Sequence, residues 1–329
     1  MGIKSLFKII KSQNQIIDFT NINNYKYKKI AIDISIIIYQ IVISIRNSGK
    51  DYRNNKGELV SHIYGLFNKI ISYLEKKIIP IFVFDGKPPD LKNKTLKNRK
   101  KNKQKAFEKM QQAKTHQERI KYFKRCVVIK KQDLDLCRKL LDLMGVPYVN
   151  APEEADSQCA RLVKEGLADA VATEDMDILT FGSSCILRDF SIKKRNVIQI
   201  KLDKILQHYN ITHDQFIKLC ILLGCDYFPT ISGLSIENIL KLVIEIKDNK
   251  ELIETINKKY NKRLNYTDFN KVIEYFNNPI TIKVEKKDLC IKEINYSKLY
   301  NFLVFKNNFC KFFVKKKLKK LRNLKFLYI

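Results

Sequence analysis

Residues 78–90 read IIPIFVFDGKPPD, an apolar run that stops abruptly at Asp85. Its isoleucine, phenylalanine and valine content predicts a buried β-strand, and Gly86 followed by a lysine and two prolines predicts a rigid turn directly after it. Residues 28–34, KKIAIDI, repeat the pattern, since this second predicted strand delivers Asp33 near its end. The two strands decide the fold, because each places a carboxylate where a buried strand leaves the core.

Shorter apolar runs predict further strands at 146–149, 168–173 and 185–190, with helical periodicity between the strands. Strands that alternate with helices predict an α/β fold with a mostly parallel central sheet and helices on both faces. From residue 202 onward the chain is predicted to be helical, ending in a basic amphipathic helix at 309–321.

The later strands are also followed by acids. These are Glu153, Glu154 and Asp156 after the third predicted strand, and Glu174, Asp175 and Asp177 after the fourth. Ligands of open α/β sheets bind outside the carboxyl ends of the strands, so the acids are expected to share one crevice. Crowded carboxylates repel one another, and a divalent cation relieves the conflict, with oxygen ligands favouring Mg²⁺ or Mn²⁺. A pair of such ions suits phosphodiester cleavage. A single acid after a strand would more often belong to a solvated turn or cap a helix than bind a metal ion.

The composition predicts a polyanionic partner, because 63 Lys and Arg residues against 34 Asp and Glu residues give a formal net charge of +29. Nucleic acid is the first candidate and an anionic membrane surface the second. The most apolar stretch, 30–45, is too short to span a membrane comfortably and contains Asp33. Eight cysteines without pairing motifs indicate a reducing compartment, and neither they nor the four dispersed histidines suggest zinc.

Four motifs carry a family resemblance: VFDGKPP, LMGVPY, ATEDMD and LCILLGCDY. With these motifs in this order, the chain resembles flap endonucleases of the XPG/RAD type, within the structure-specific 5′ nucleases. The resemblance runs from the first residues through about residue 245 and is loose over 246–329. It implies a PIN-like nuclease core, an inserted helical arch that admits single-stranded 5′ flaps, and a helix–two-turn–helix that grips duplex DNA.

The resemblance also implies a domain organisation. A nuclease core is expected at 1–245, with an N-terminal region at 1–105, an arch or cap insertion at 90–130, an internal region at 146–245 containing the helix–two-turn–helix at about 214–245, and a helical C-terminal extension at 246–329.

Seven metal-binding acids follow from the resemblance: Asp33, Asp85, Glu154, Asp156, Asp175, Asp177 and Asp226. Asp226, in LGCDY, is an acid that strand-end reasoning misses. Asp156 stands where the eukaryotic enzymes have Glu, so its reach is one methylene shorter. The implied cofactor is a pair of Mg²⁺ ions, with Mn²⁺ as a substitute.

The resemblance assigns Lys92 and Arg99 the catalytic role of polarising the scissile phosphate. Their spacing of seven residues predicts one helical face, and eight Lys or Arg residues lie within 92–105. The implied DNA contacts are Gly2, Tyr39, Arg46, Lys92, Arg99, Gly233 and Ser235. Ser235 replaces the second glycine of the two-turn segment, where the family binds a potassium ion through the turn.

The expected activity is a magnesium-dependent 5′ flap endonuclease and 5′–3′ exonuclease, acting on flap, nicked, gapped or branched DNA by two-metal phosphodiester hydrolysis in replication, repair or recombination. The alternatives are a nuclease for four-way junctions or recombination ends, and a non-catalytic DNA-binding scaffold. Lys306-x-x-Phe309-x-x-Phe312-Phe313 resembles a sliding-clamp motif with Lys in place of Gln, although these residues fit the terminal helix better. A monomer is expected, with no membrane partner, inside the cell at the nucleus or another site of DNA replication.

Overall fold

The structure, a computed structural model, describes residue 3 and residues 6–13, 15–47, 51–231 and 233–324, with only the backbone described at 116 and 120. In chain order its strands are β1 (Ile17–Asn21), β2 (Lys29–Asp33), β3 (Ile79–Phe84), β4 (Tyr148–Asn150), β5 (Ala170–Ala172), β6 (Cys185–Arg188) and β7 (Asn196–Lys201). Its helices are α1 (Leu6–Lys11), α2 (Ile34–Asn47), α3 (Ser61–Glu75), α4 (Asn93–Gln112), α5 (His116–Arg125), α6 (Lys131–Met144), α7 (Ala155–Lys164), α8 (Asp177–Thr180), α9 (Leu202–Tyr209), α10 (His213–Leu223), α11 (Ile236–Glu245), α12 (Asn249–Tyr260), α13 (Tyr266–Asn277), α14 (Tyr296–Asn301) and α15 (Lys311–Arg322).

The chain divides into two compact units, each assembled from separate stretches of sequence. Unit 1 comprises the described residues within 1–22, 86–95 and 151–282, and unit 2 those within 23–85, 96–150 and 283–329. The predicted boundary at residue 245 stays a prediction. In the division into units, residues 246–282 belong to unit 1 and the described residues within 283–329 belong to unit 2.

Unit 1 contains a mixed group of strands in the order β1-β7-β6-β5. β7 pairs antiparallel with both β1 and β6, and β6 pairs parallel with β5. α10 packs against α8, α11 and α13, and its sequence FIKLCILL is buried throughout most of its length because apolar residues surround the helix.

Unit 2 contains three parallel strands in the order β2-β3-β4. β3 is buried from Pro80 to Phe84, which agrees with its continuous apolar run. α3 packs on α2, α6, α15 and β3, so a helix close to the C-terminus covers a helix from the first quarter of the chain.

The α/β class is confirmed, and all five predicted strands are present as β2 to β6. β1 and β7, which make antiparallel pairs, have no counterpart among the predicted strands. β1 has no fully buried residue, so its sequence IDFTN lacks the apolar run that reveals β3.

Candidate functional site

In unit 2, two carboxylates lie at the carboxyl ends of neighbouring parallel strands. Asp33 is the last residue of β2 and is in register with Val83 of β3, and Asp85 comes directly after the end of β3. Ser35 joins the two acids: its backbone N–H donates to Asp33 Oδ1 at 2.7 Å, and its hydroxyl donates to Asp85 Oδ2 at 2.8 Å. The structure thus brings these two predicted site residues together.

In unit 1, Glu154 and Asp156 lie where α7 begins. Glu154 is the N-cap residue of α7, and Asp156 lies in its first turn. Glu154 is buried, with only 7% of its surface exposed. The helix N-terminus favours negative charge, which partly offsets the cost of placing two acids here.

A glycine turn fixes the loop that leads into α7. The Gly86 N–H donates to the Glu153 carbonyl oxygen at 2.6 Å, and the Lys87 N–H donates to the Pro152 carbonyl oxygen at 3.1 Å. A Cβ at residue 86 would collide with the carbonyl oxygens of Ala151 and Pro152. Glycine is therefore required because the two backbones approach closely.

The acids after β5 lie in a buried turn. The Asp177 N–H donates to Asp175 Oδ1 at 3.2 Å, and the Asp175 N–H donates to Thr173 Oγ1 at 2.9 Å. Burial raises the pKa of both carboxyl groups, and the charges of Asp175 and Asp226 raise the pKa of Asp177 further. These carboxylates are held close to one another in a poorly solvated place.

Glu174, the third acid after β5, has a different environment. It lies at the surface, where its Oε2 pairs with the Arg188 guanidinium at 2.9 Å and its Oε1 accepts the Asp189 N–H at 2.7 Å. Glu174 therefore belongs to a surface ion pair with Arg188. This agrees with the family resemblance, which does not include Glu174 among the metal ligands.

Asp226 lies in a tight turn after α10. Gly224 has φ +98°, and a Cβ there would collide with Thr230. The Thr95 hydroxyl donates to the Asp226 carbonyl oxygen at 2.6 Å. Because this acid follows a helix, the strand-end pattern could not find it, and only the resemblance did.

The acid group of unit 1 consists of Glu154, Asp156, Asp175, Asp177 and Asp226, and Lys92 is a cation in contact with it. Its Nζ forms an ion pair with Glu154 Oε1 and lies 3.4 Å from Asp226 Oδ2. Burial alone lowers the pKa of Lys92, but the charges of Glu154, Asp156 and Asp226 together outweigh burial and raise the pKa above its ordinary value. The ammonium group therefore stays charged.

Two tyrosine hydroxyls, both missed by the sequence analysis, contact Glu154. Tyr227 donates to Glu154 Oε2, and the Tyr275 hydroxyl donates to the same oxygen at 3.3 Å. Burial, and then the charge of Glu154, raise the pKa of both phenols, so both remain donors. Tyr227 adjoins Asp226 in the motif LGCDY, so the sequence could have indicated that it lies at the site. Tyr275 is 121 residues from Glu154, and no motif in the sequence indicates that it lies at the site.

The acids of unit 1 fit a divalent cation. Among the described residues, Asp177 Oδ1 and Glu153 Oε2 are buried without a hydrogen-bond partner, and hard cations bind such oxygens. Within the same ranges, no three His, Cys, Asp or Glu side chains are spaced to hold one ion. The Lys92 ammonium group is the counter-charge of Glu154 and Asp226.

The basic insertion forms α4 and α5, called the arch helices below. Ala106 is the one buried residue of α4 among those described. Lys92 lies in the 3₁₀ turn Asp90–Lys92 that precedes α4, whereas Arg99 lies within α4. Lys92 therefore lies one residue before α4 begins, and the expectation that the two share one helical face stays a prediction. Their catalytic roles stay predictions.

Two predicted DNA contacts on α2 interact with the arch helices. Lys103 of α4 donates to the Tyr39 hydroxyl at 3.1 Å and lies 5.4 Å from the ring centroid. The Arg46 guanidinium lies over the Phe123 ring of α5 at 4.1 Å. Arg46 therefore helps to hold α5 against α2, in addition to its predicted role.

The segment between α10 and α11 lies where the resemblance predicts the two-turn element. Gly233 has φ +81°, a left-handed conformation that glycine favours. Ser235 is the N-cap of α11, and its hydroxyl accepts the Asn238 N–H at 3.3 Å. Potassium binding here stays a prediction, and Gly2, the remaining predicted DNA contact, lies outside the described residues.

The clamp-like residues pack within unit 2. Phe309 is buried, Phe313 stacks on Tyr64 with ring centroids 5.2 Å apart, and Phe312 is 75% exposed. α15 includes Phe312 and Phe313, as expected, whereas Lys306 and Phe309 lie before this helix, so that part of the expectation was wrong. Among the described residues no helix is long and apolar enough to cross a membrane.

Comparison with known proteins identifies two matching family regions. Residues 1–106 match the XPG N-terminal domain, and residues 145–226 match the XPG I-region. The first of these regions contains Asp33 and Asp85, and the second contains the other five predicted metal ligands.

Individual relatives agree with these regions. The chain is 44% identical to flap endonuclease 1 of Salmo salar over 263 residues, which cover 78% of this chain and 69% of that protein. Its structure is similar to that of flap endonuclease-1 from Methanococcus jannaschii, with a TM-score of 0.73, 30% identity and 98% of each chain covered. The catalytic core of Rad2 in complex with a DNA substrate has a similar fold, with a TM-score of 0.72 and 23% identity over 98% of this chain and 100% of that one.

Proposed function

The chain belongs to the flap endonuclease family of XPG-type nucleases, and from that premise we propose that it cuts 5′ flaps and acts as a 5′–3′ exonuclease on nicked, gapped or branched DNA. It is a structure-specific DNA nuclease and hence a hydrolase. The observation that carries the proposal is the buried acid group of unit 1 in contact with Lys92, in a chain whose formal net charge is +29. Nuclease chemistry explains both features, because the acids suit metal ions and the excess of basic residues suits DNA phosphates.

We propose two Mg²⁺ ions as the cofactor, with Mn²⁺ as a substitute. The residues that would hold them are Asp33, Asp85, Glu154, Asp156, Asp175, Asp177 and Asp226. When bound, such ions supply a nucleophile at neutral pH and stabilise the charge that develops on the cleaved phosphodiester. The raised pKa of Asp177 supports the assignment, because burial and the charges of Asp175 and Asp226 disfavour the ionised carboxylate, which a divalent cation would stabilise.

Lys92 and Arg99 contribute fixed positive charge in this proposal. The Lys92 ammonium group, held by Glu154 and Asp226, is available to a nonbridging phosphate oxygen when the phosphate approaches the acids. The Arg99 side chain is half-buried on α4, where it would contribute the second charge.

The DNA contacts extend outward from this site. We propose that Tyr39 stacks on a nucleobase beside the scissile phosphate, and that Arg46 contacts the DNA backbone. Gly233 and Ser235 would present backbone N–H groups to duplex phosphates, with a potassium ion at the turn. Gly2 is proposed to contact DNA on the strength of the resemblance.

We further propose a monomer at an intracellular site of DNA replication, such as the nucleus. The eight free cysteines support a reducing compartment. A sliding clamp at 306–313 would have to be contacted without Phe309 and Phe313, because both already pack inside unit 2.

The test is cleavage of labelled 5′-flap, nicked and four-way DNA in Mg²⁺, compared with EDTA. We expect the flap to be cut fastest, with Asp226→Asn reducing the rate at least about a hundredfold. Glu254→Gln, which changes an exposed acid of α12, is the matched control and should cut normally. Faster cutting of the four-way DNA would favour the junction nuclease, and metal-independent binding without cutting would favour the scaffold.

A further inference from the structure

An aromatic cluster joins α13 to the predicted metal site within unit 1. The Tyr227 ring lies 4.9 Å from Tyr275 and 5.5 Å from Phe276, measured between centroids. Phe181, directly after α8, has its ring centroid 5.6 Å from that of Tyr275 and 5.0 Å from that of Phe276. Edge-to-face and tilted pairs of this kind fix the positions of the rings.

The two tyrosines divide the oxygens of Glu154 between two tasks. Both phenol hydroxyls donate to Oε2, whereas Oε1 is the oxygen that contacts the Lys92 ammonium group. A glutamate carboxylate otherwise rotates broadly about its last torsion, and two donors on one oxygen restrict that rotation. The carboxylate therefore presents Oε1 to the Lys92 ammonium group.

We propose that Tyr275 is a positioning residue of the nuclease. Together with Tyr227 it holds Glu154, a proposed metal ligand, in the orientation in which Oε1 contacts the Lys92 ammonium group. The inference rests on the proposed metal site. It assigns a role at that site to α13, which lies in the C-terminal region where the family resemblance is loose.

Physical chemistry explains why such a residue matters. Partners that hydrogen-bond a metal ligand orient it, and their loss typically costs about 10- to 100-fold in metal affinity or activity. Tyr275 supplies one of two donors, so its removal should lie at the lower end of that range. A tyrosine that only packs would contribute through its ring, which phenylalanine retains.

The experiment measures Mn²⁺ binding to the DNA-free protein by titration calorimetry. Tyr275→Phe removes the hydroxyl and keeps the ring, and we expect its Mn²⁺ affinity to fall about tenfold. Tyr266→Phe is the matched control, because Tyr266 begins the same helix and is 39% exposed. Its affinity should stay within about twofold of the wild type.

Two further readouts separate positioning from packing. The urea midpoint of Tyr275→Phe should match that of Tyr266→Phe, and its cleavage rate should recover as Mn²⁺ is raised to saturation. Tyr227→Phe removes the other donor to Oε2 and should also weaken Mn²⁺ binding. It serves as the deciding variant if Tyr275→Phe does not fold.

Each outcome has a distinct meaning. Absence of Mn²⁺ binding by the wild type would overturn the metal site itself, and with it the premise. Normal wild-type binding with Tyr275→Phe within about twofold would overturn the positioning role alone. A lower urea midpoint with unchanged Mn²⁺ affinity would likewise overturn it, because packing alone then explains the residue.

Discussion

Replacing Gly86 by alanine tests whether the turn after β3 positions the loop that carries Glu154. The added Cβ would collide with the carbonyl oxygens of Ala151 and Pro152, which are backbone atoms and cannot rotate away. The turn must therefore separate from the loop, and the hydrogen bonds from Gly86 and Lys87 to that loop would lengthen or break.

The magnitude follows from these contacts. Two backbone hydrogen bonds contribute about 1 kcal/mol each, and overpacking a tight contact costs about 1–3 kcal/mol. Gly86→Ala should therefore lower the free energy of unfolding by about 3–5 kcal/mol. With a urea slope of about 3 kcal/mol per M, the midpoint should fall by about 1–2 M. Moving a catalytic group by about 1 Å can cost about 10²-fold in rate, so flap cleavage should fall comparably.

The assay compares Gly86→Ala with Gly166→Ala by urea unfolding and by single-turnover flap cleavage. Gly166 has φ +67° and open space where a Cβ would lie, so alanine there costs only the left-handed strain of about 1–2 kcal/mol and leaves the site alone. If Gly86→Ala cuts as fast as Gly166→Ala, the turn does not position the Glu154 loop and the reasoning is refuted.

Four other outcomes are expected. Asp177→Ala should abolish cleavage and leave DNA affinity nearly unchanged, because affinity comes mostly from phosphate contacts; turnover above about a tenth of the wild-type rate would contradict its assignment. Lys92→Ala and Arg99→Ala should each lower the single-turnover rate about 10²–10³-fold, and normal cutting at saturating DNA would show that they only bind the backbone. Burial lowers the pKa of His62 below 6.5, so the protein loses stability as the pH falls from about 6.5 through the depressed folded-state pKa. His62→Leu should make the urea midpoint less sensitive to acid, and identical pH profiles of the two proteins would show that His62 does not cause this sensitivity. Limited proteolysis between 92 and 125 should be fast in the free protein and slow with flap DNA in Ca²⁺, because a helix with so little buried surface is marginal alone; equal rates would argue against ordering by DNA.

The parts of the fold that sequence reasoning found are those with a strong local signal. β3 is an unbroken apolar run bounded by a glycine–proline turn, and its predicted limits differ from the observed ones by one residue. β1 pairs with β7, which lies far away along the sequence, and neither strand has an apolar run that would identify it locally. Such strands form because their partner is present, which a local pattern does not record.

The candidate site shows the same division. Asp33 and Asp85 end buried strands, so the strand pattern predicts them without further knowledge. Asp226 follows a helix and required the resemblance. Tyr275 could not be found by either route, because a tyrosine in an amphipathic helix has the pattern of an ordinary core residue.

The interleaved composition of unit 2 also bears on synthesis of the protein. β2, α3 and β3 leave the ribosome early, yet α15, which packs on α3, comes last, and the ion pair between Lys320 and Glu75 closes a separation of 245 positions. Contacts over such distances carry a large loop-closure entropy and form late in folding. A chain interrupted before residue 283 would leave uncovered the part of α3 on which α15 packs, and exposed apolar surface of this kind favours aggregation and degradation. Interrupted synthesis should therefore yield a fragment that the cell removes, and not a shortened nuclease that cuts DNA without control.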